Sequence, residues 1–563
     1  MKADKELYRE LRGLTCDQLW NDEVARFNRA TPKERMDRVA VIRAVGVVFA
    51  GRGTAEQRIA VRAWLRGLLQ DPAEKIRRYA MAALPKIGAG EGEEKELLSL
   101  LQTTTVEREK KFLGRALDKI GGAATLDVVA SVPGLLPQTE QKVRASLARK
   151  EQPSAIRMDQ VFPCVPELRI HLRCRRGLEG IVRDELQDYI AKRGPFRLLE
   201  VQPGVVAVAP IAPFSLTQIY VLRCFATVGF VLGTVRPAGD AEAVEGLAAA
   251  LTSPLSRQLL TAFTEGSIRY RLDFIGKGHQ RGAVRDVVNR AYALCPEILN
   301  DARSAPWAMD VYETGSGQAV ELRPKFAPDP RLGYRLDDVD AASHPPLAAC
   351  MARLAGRKGA ELVWDPFCGS GLELIESALL GGVKQLFGTD ISPEAIAIAQ
   401  ANVAAAQLKD VPAKLVCCDF RRHAQIDGLG PASVTLVITN PPLGRRVRVP
   451  DMRGLFADLF SVAANVLKPG GRLVFANPLK LEPSDPSLKL QYREVIDLGG
   501  FDCRLEMYEK LAGPAARPMP PAARATTVKR SPEAGRDDRD KARWFSGMSR
   551  TRPPAQRHGR DRA

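Results

Sequence analysis

Asn440-Pro-Pro-Leu443 is the stretch of this chain whose residue types do chemistry most directly. An exocyclic base amine is a poor nucleophile because its lone pair is delocalised into the ring. The Asn440 side-chain oxygen and the Pro441 carbonyl can both accept hydrogen bonds from such an NH2. Two acceptors pull the nitrogen toward tetrahedral geometry and aim its lone pair at an incoming methyl group. Pro441 and Pro442 fix φ and bring no N–H that would compete. Catalysis of this kind is positioning plus preorganised electrostatics, without a covalent intermediate.

Three signals precede it in the order that such chemistry needs. They are Glu361-Leu-Val-Trp-Asp-Pro-Phe-Cys-Gly-Ser-Gly371, Gln385-Leu-Phe-Gly-Thr-Asp390 and Leu415-Val-Cys-Cys-Asp-Phe420. Each apolar run ends at a polar residue and reads as a strand of a parallel sheet whose carboxyl ends meet at one crevice. Spacings of 25 residues (Asp365 to Asp390), 29 (to Asp419) and 21 (to Asn440) leave room for one crossover helix each. Asp365, Pro366, Cys368, Gly369, Ser370 and Gly371 form a glycine loop that opens a helix over Leu372 to Leu380. Glycines there let the backbone approach a ligand and leave a helix N-terminus facing it. Asp390, with Ile391 after it, sits where a carboxylate accepts hydrogen bonds from ribose hydroxyls. Asp419 fits the exocyclic amine of an adenine, and Phe420 is placed to pack on its ring. The glycine loop and Asp390 alone do not separate NAD from S-adenosyl-L-methionine; the spacing is not G-x-G-x-x-G, which counts against NAD, and Asn440-Pro441-Pro442 favours S-adenosyl-L-methionine as the expected cofactor.

Asp365-Pro-Phe-Cys-Gly-Ser-Gly371 together with Thr439-Asn-Pro-Pro-Leu-Gly-Arg445 resembles the RNA guanine-N2 methyltransferases that carry a THUMP domain. The run Leu467-Lys-Pro-Gly-Gly471 before Arg472-Leu-Val-Phe475 is similar to the downstream turn and strand of that family, and the likeness covers roughly Leu168 to Lys510. It implies a Rossmann-like class I domain in which the glycine loop and Asp390 hold S-adenosylmethionine and the Asn440 motif holds the target base. The family usually has Tyr or Phe after the second proline, and this chain has Leu443. A flipped base thereby loses a stacking partner worth about 1–3 kcal/mol.

Those elements occupy less than a third of the chain. At 563 residues, three or four domains are expected. We expect helical HEAT-like repeats over 1–150, an α+β THUMP-like or ferredoxin-like module over 155–345, an α/β methyltransferase domain over 346–510 and a disordered basic tail over 511–563. Leu68 to Gly88 reads as one repeat, with an Asp71-Pro72 turn, a basic residue early in the second helix and a Leu-x-x-Ile-Gly end that recurs at Leu117 to Gly121. Its expected role is a binding surface, open to a protein partner. The tail holds 13 Lys/Arg against 5 Asp/Glu within a net charge of +17, and such tails hold nucleic acid electrostatically. Ten cysteines without a C-x-x-C pair suit reduced thiols in cytoplasm and argue against a metal site. No run of about 18 apolar residues predicts a membrane span.

In the middle region, Leu168 to Cys174 alternates like a strand and turns at Arg175-Arg-Gly into a helix, similar to the opening of THUMP-containing regions. Ile268 to Phe274 and Ala319 to Pro324 are further strands, with a helix over Gly282 to Leu294. Arg331 to Arg335 and His344 to Met351 resemble the joint to the catalytic domain. Arg173, Arg175, Arg176, Lys277 and Arg281 cluster near glycines and are the expected RNA contacts. The sequence thus reads as an enzyme that methylates the N2 amine of guanosine in structured RNA, tRNA or rRNA. Two alternatives stay open: an N-methyltransferase acting on adenine or cytosine in DNA or on protein glutamine, and an RNA-binding protein with an inactive methyltransferase fold.

Overall fold

The computed structural model describes residues 2–88, 91–128, 139–151, 153–278, 280–326, 328–339, 342–444 and 449–512. The expected basic tail lies outside the described residues from 513 onward.

Up to Glu151 the described elements are helices. Ala40–Arg52, Ala55–Leu68, Glu74–Ala83, Glu91–Thr103 and Glu107–Ile120 pack on an apolar cluster that includes Phe27, Phe49, Leu65, Ile76 and Leu117. Asp71 makes the turn expected of Asp-Pro: its Oδ1 accepts from the Ala73 amide at 2.8 Å. Arg77 donates to the carbonyls of Asp71 and Pro72 at 2.6 and 3.0 Å. Ion pairs then link one helix pair to the next, Arg35 to Asp71 (2.6 Å) and Arg77 to Glu109 (2.5 Å). Both carboxylates are buried, so each needs its arginine to offset desolvation.

The middle region is built on one eight-stranded sheet. Its strands lie in the order Phe196–Gln202, Val205–Pro210, Ile170–Arg173, Thr227–Val235, Gly317–Pro324, Trp307–Thr314, Arg269–Ile275 and Leu299–Asn300. The three strands read from sequence appear within two residues of their expected bounds. Phe196–Gln202, Val205–Pro210, Thr227–Val235 and Trp307–Thr314 are additional to them. The last helix of the helical region is tied to this sheet at Asp301, a fully buried carboxylate held by Arg149 at 2.8 Å and Arg269 at 3.3 Å. Burial alone would raise its pKa; the Arg303 amide, Arg149 and the Ser304 amide outweigh that and hold it below the ordinary range.

The C-terminal region begins with helix Pro345–Ala355 and has seven strands: β1 Glu361–Asp365, β2 Val383–Asp390, β3 Ala413–Cys417, β4 Val434–Thr439, β5 Leu467–Asn477, β6 Leu488–Asp497 and β7 Asp502–Lys510. Their order is 3-2-1-4-5-7-6, with β1 to β5 parallel and β7 antiparallel to both its neighbours. Burial on both faces explains the continuous apolar runs. In β1, Val363 joins the cluster under Leu347 and Met351, while its neighbour Trp364 joins that under Phe456 and Phe460. The order reverses between β1 and β4, which opens a crevice at their carboxyl ends.

A buried arginine set joins the middle sheet to this domain. Arg223 grips Glu376 of helix Leu372–Leu380 with two bonds of 2.7 and 2.8 Å, and Tyr334 donates to the same carboxylate at 2.5 Å. Arg331 donates to the carbonyls of Leu222 and Phe225 and stacks 4.1 Å from the Phe225 ring. The segment expected to be the joint is therefore a charged plug. A second contact lies at Gly177, whose φ of +92° leaves no room for a Cβ, which would meet the Val495 carbonyl at 2.1 Å.

Candidate active site

The three carboxylates and Asn440 stand at or just beyond the ends of β1, β2, β3 and β4, around the crevice. The glycine loop leaves β1 and turns sharply at Gly369 (φ +50°) and Gly371 (φ +85°) into helix Leu372–Leu380. A Cβ on Gly369 would meet only Val339, at 3.5 Å. Asp390 ties the loop to β2: its Oδ2 accepts from the Gly369 amide at 3.0 Å and its Oδ1 from the Ser392 amide at 2.9 Å. The remaining lone pairs of that carboxylate are open to hydroxyl donors. Next to it, the apolar side chain of Ile391 is 77% exposed, the surface that a flat heterocycle would cover.

The described stretches 334–339 and 342–344 form a strap beside the loop. Ser370 donates to Asp338 at 2.8 Å. Asn402, fully buried, donates to the Asp337 and Ser370 carbonyls and accepts from the Leu336 and Asp337 amides, so strap and loop are held by one side chain. Burial at Cys368 pushes its thiol well above the ordinary range, which makes it a packing residue.

Beneath the loop lie two buried acids. Asp365 accepts from Thr439 Oγ1 at 2.6 Å and from the Phe367 amide at 3.0 Å, and its Oδ2 is buried without a partner. Burial and the neighbouring Glu373 raise its pKa well above the carboxylate range. Glu373 is raised too, again through burial.

Asn440 is oriented by a chain of side chains that the sequence does not reveal. Its Nδ2 donates to Ser343 Oγ at 2.9 Å, and the Ser343 hydroxyl donates to Glu373 Oε1. Carboxylate, hydroxyl and amide thus fix which end of Asn440 faces the crevice. Its Oδ1 is buried and has no partner among the described residues, an acceptor left for a further donor. Ser343→Ala should let the amide turn and lower turnover about 10–100-fold, with cofactor affinity unchanged. Ser343→Thr, which keeps the hydroxyl, should retain most of the rate. Equal steady-state rates for Ser343→Ala and the wild type would remove Ser343 from this role.

Several expectations need correction. Phe420 is 3% exposed and packs on Phe367 at 4.8 Å inside the cluster with Trp364 and Phe387, so its ring is closed to an adenine. Asp419 caps its own turn through the Arg421 amide at 3.0 Å and pairs with the Arg421 guanidinium at 3.0 Å, which occupies much of its acceptor capacity. Arg173 is not a free RNA contact: it pairs with the buried Glu321 and lies 3.6 Å over the Tyr312 ring. Burial would raise the Glu321 pKa, but His171 and Arg173 hold it below the ordinary value. Arg175 donates to the Asp497 carbonyl at 3.2 Å, and Lys277 pairs with Glu313 at 2.8 Å. Nor do the five form one cluster. Three strands separate Ile170–Arg173 from Arg269–Ile275, and the two run in opposite directions. Arg175 and Arg176 therefore lie along one edge of the sheet, and Lys277 and Arg281 along the other.

The same region of sequence matches known proteins. Residues 332–485 match the UPF0020 family, described as an RMKL-like methyltransferase domain. This part of the chain is a methyltransferase domain. The tRNA (guanine(10)-N2)-dimethyltransferase of Methanocaldococcus jannaschii is 31% identical over 30% of this chain and 46% of its own. A ribosomal protein L11 methyltransferase of Teredinibacter turnerae is 31% identical over 28% of this chain and 48% of its own. The chain spans about half the length of these two relatives. The crystal structure of TrmN from Thermus thermophilus aligns over 61% of this chain and 100% of its own, at 20% identity and a TM-score of 0.48. Two further curated relatives that carry the guanine-N2 name, at 28% and 29% identity over 27% and 24% of this chain, agree with the methyltransferase part of the resemblance read from the sequence; the THUMP part is not among these findings.

The methyltransferase domain takes S-adenosylmethionine as its cofactor, and the residues present fit it. Asp390 would offer acceptors to ribose hydroxyls, Ile391 an apolar cover for the adenine, and the glycine loop a close approach to the backbone. When bound, the cofactor supplies an electrophilic methyl group. Among the described residues no helix is long and apolar enough to cross a membrane.

Proposed function

We propose that the protein transfers a methyl group to the exocyclic N2 amine of a guanosine in structured RNA. The observation that carries this reading is the buried Oδ1 of Asn440, which has no hydrogen-bond partner among the described residues while Ser343 holds the Nδ2 end of the same amide. An NH2 placed there gives one hydrogen to Asn440 and the other to the Pro441 carbonyl, and its lone pair turns toward the methyl donor. Methylation leaves a secondary ammonium, whose proton passes to solvent along the open side of the cleft. The names of the archaeal relatives support guanine. The L11 methyltransferase matches mean that likeness in this domain alone does not choose the acceptor. RNA is favoured by the middle module, which we read as THUMP-like, and by the helical region, which we read as a HEAT-like stack offering a second surface. A base reaches the crevice only when flipped from its stack.

The test is nucleoside mass spectrometry. RNA from cells lacking the protein is incubated with the purified protein and S-adenosylmethionine, then digested. N2-methylguanosine should appear. A methylated adenosine or cytidine, or no RNA product beside a methylated protein, would replace this reading.

A further inference from the structure

The departure at Leu443 takes away the aromatic side chain usual at that place, and the cleft beside Leu443 is lined by another, Phe501. This cleft of about 510 Å³ is lined by Leu443, Met452, Pro478, Leu479, Phe501 and Asp502. It lies on the acceptor side of the sheet. The β4 end supplies Leu443, the segment after β5 supplies Pro478 and Leu479, and the turn from β6 to β7 supplies Phe501 and Asp502. That turn is rigid. Asp497 Oδ1 accepts from the amides of Gly499 and Gly500 at 2.8 and 2.9 Å, and the Leu498 amide donates to the Phe501 carbonyl at 2.9 Å. It is also docked on the middle module, because the Asp497 amide donates to the Arg176 carbonyl at 3.0 Å. The Asp502 carboxylate is 64% exposed, with the Arg176 guanidinium 3.4 Å away.

We propose that this cleft is the target-base pocket, with Phe501 supplying the aromatic wall and Asp502 selecting guanine by accepting its N1–H. The inference rests on the methyl-transfer reading above and goes beyond it by naming what chooses the base. The atom beside each exocyclic amine decides the matter. Guanine carries an N–H donor next to its N2 amine. Adenine next to N6, and cytosine next to N4, carry a bare ring nitrogen whose lone pair a carboxylate repels. An acidic oxygen at this place therefore rejects both alternatives by charge, while Asn440 and Pro441, which hold any NH2, cannot tell them apart. Stacking on Phe501 is blind to base identity and contributes affinity only. Arg176 holds Asp502 at the cleft wall and lies where an RNA phosphate would draw it away.

The test uses the full chain with its cofactor site saturated by S-adenosylhomocysteine, titrated calorimetrically with GMP and AMP. The wild type should bind GMP about 10–100-fold tighter than AMP, the size of one charge-assisted hydrogen bond. Asp502→Asn, whose amide can donate to adenine N1, should abolish that preference without changing S-adenosylhomocysteine affinity. Phe501→Leu should weaken both nucleotides alike. Equal affinity of the wild type for the two nucleotides, no GMP binding at millimolar concentration, or an unchanged preference in Asp502→Asn overturns the proposal. The two readings fail separately. GMP preference without N2-methylguanosine from RNA would break the proposed activity and keep the pocket. N2-methylguanosine with no GMP preference would do the reverse.

Discussion

Asn440→Ala is expected to lower methyl transfer about 10²–10³-fold while leaving cofactor affinity nearly unchanged, the usual size for losing one preorganised polar group at a reacting atom. Asn440 touches the acceptor side of the crevice only, so its loss spares the glycine loop and Asp390. The deleted amide leaves Ser343 Oγ without its donor, but the Ser343 hydroxyl keeps its own bond to Glu373. Single-turnover rates on RNA that the wild type methylates, with calorimetric titration of S-adenosylhomocysteine alongside, separate the two effects. A rate equal to that of the wild type would make the residue structural. A parallel collapse of cofactor binding would show that the loop had moved and would place Asn440 in the cofactor half instead.

Asp390→Ala should weaken the cofactor by about 1–3 kcal/mol, because two ribose hydroxyls lose their acceptor inside a protein site. The same change removes the partner of the Gly369 and Ser392 amides, so part of the loss comes from a loosened loop. Asp390→Asn separates the terms. It keeps one acceptor oxygen for the loop and loses the charge, so it should fall between wild type and alanine. Unchanged affinity in Asp390→Ala would remove this carboxylate from the cofactor site.

Much of the catalytic domain is legible in the sequence because its signals are local. A continuous apolar run of five to eight residues ending at Asp, Gly or Asn reports a buried parallel strand and the residue at its mouth within one short window. Asp365, Asp390 and Asn440 fall at strand ends for that reason, and helix Leu372–Leu380 has the bounds expected of it. The middle sheet is only half legible. Phe196–Gln202 and Val205–Pro210 pair across a two-residue turn, yet Val205–Pro210 is apolar without alternation, so period two is silent there.

The errors share one cause. The position of Phe420 after Asp419 points to a ligand contact, but one residue decides which face of a strand end a ring takes, and Phe420 takes the core. Arg173 reads as an RNA contact because no acidic residue lies within five positions of it in the chain, while its partner Glu321 lies 148 residues away on a strand two places across the sheet.

By itself the sequence determined the order and spacing of the strand-end motifs, and with them the parallel sheet, the glycine loop, and the carboxylate and asparagine that stand at its strand ends. Each of these is written within a few consecutive residues, where local geometry dictates the outcome. Only the tertiary structure decided which groups became partners: Ser343 with Asn440 across 97 residues, Arg223 with Glu376 across 153, and Arg176 with Asp502 across 326. Those pairings depend on how sheets and helices stack in space, and a buried polar group must find its partner wherever the fold brings one within reach.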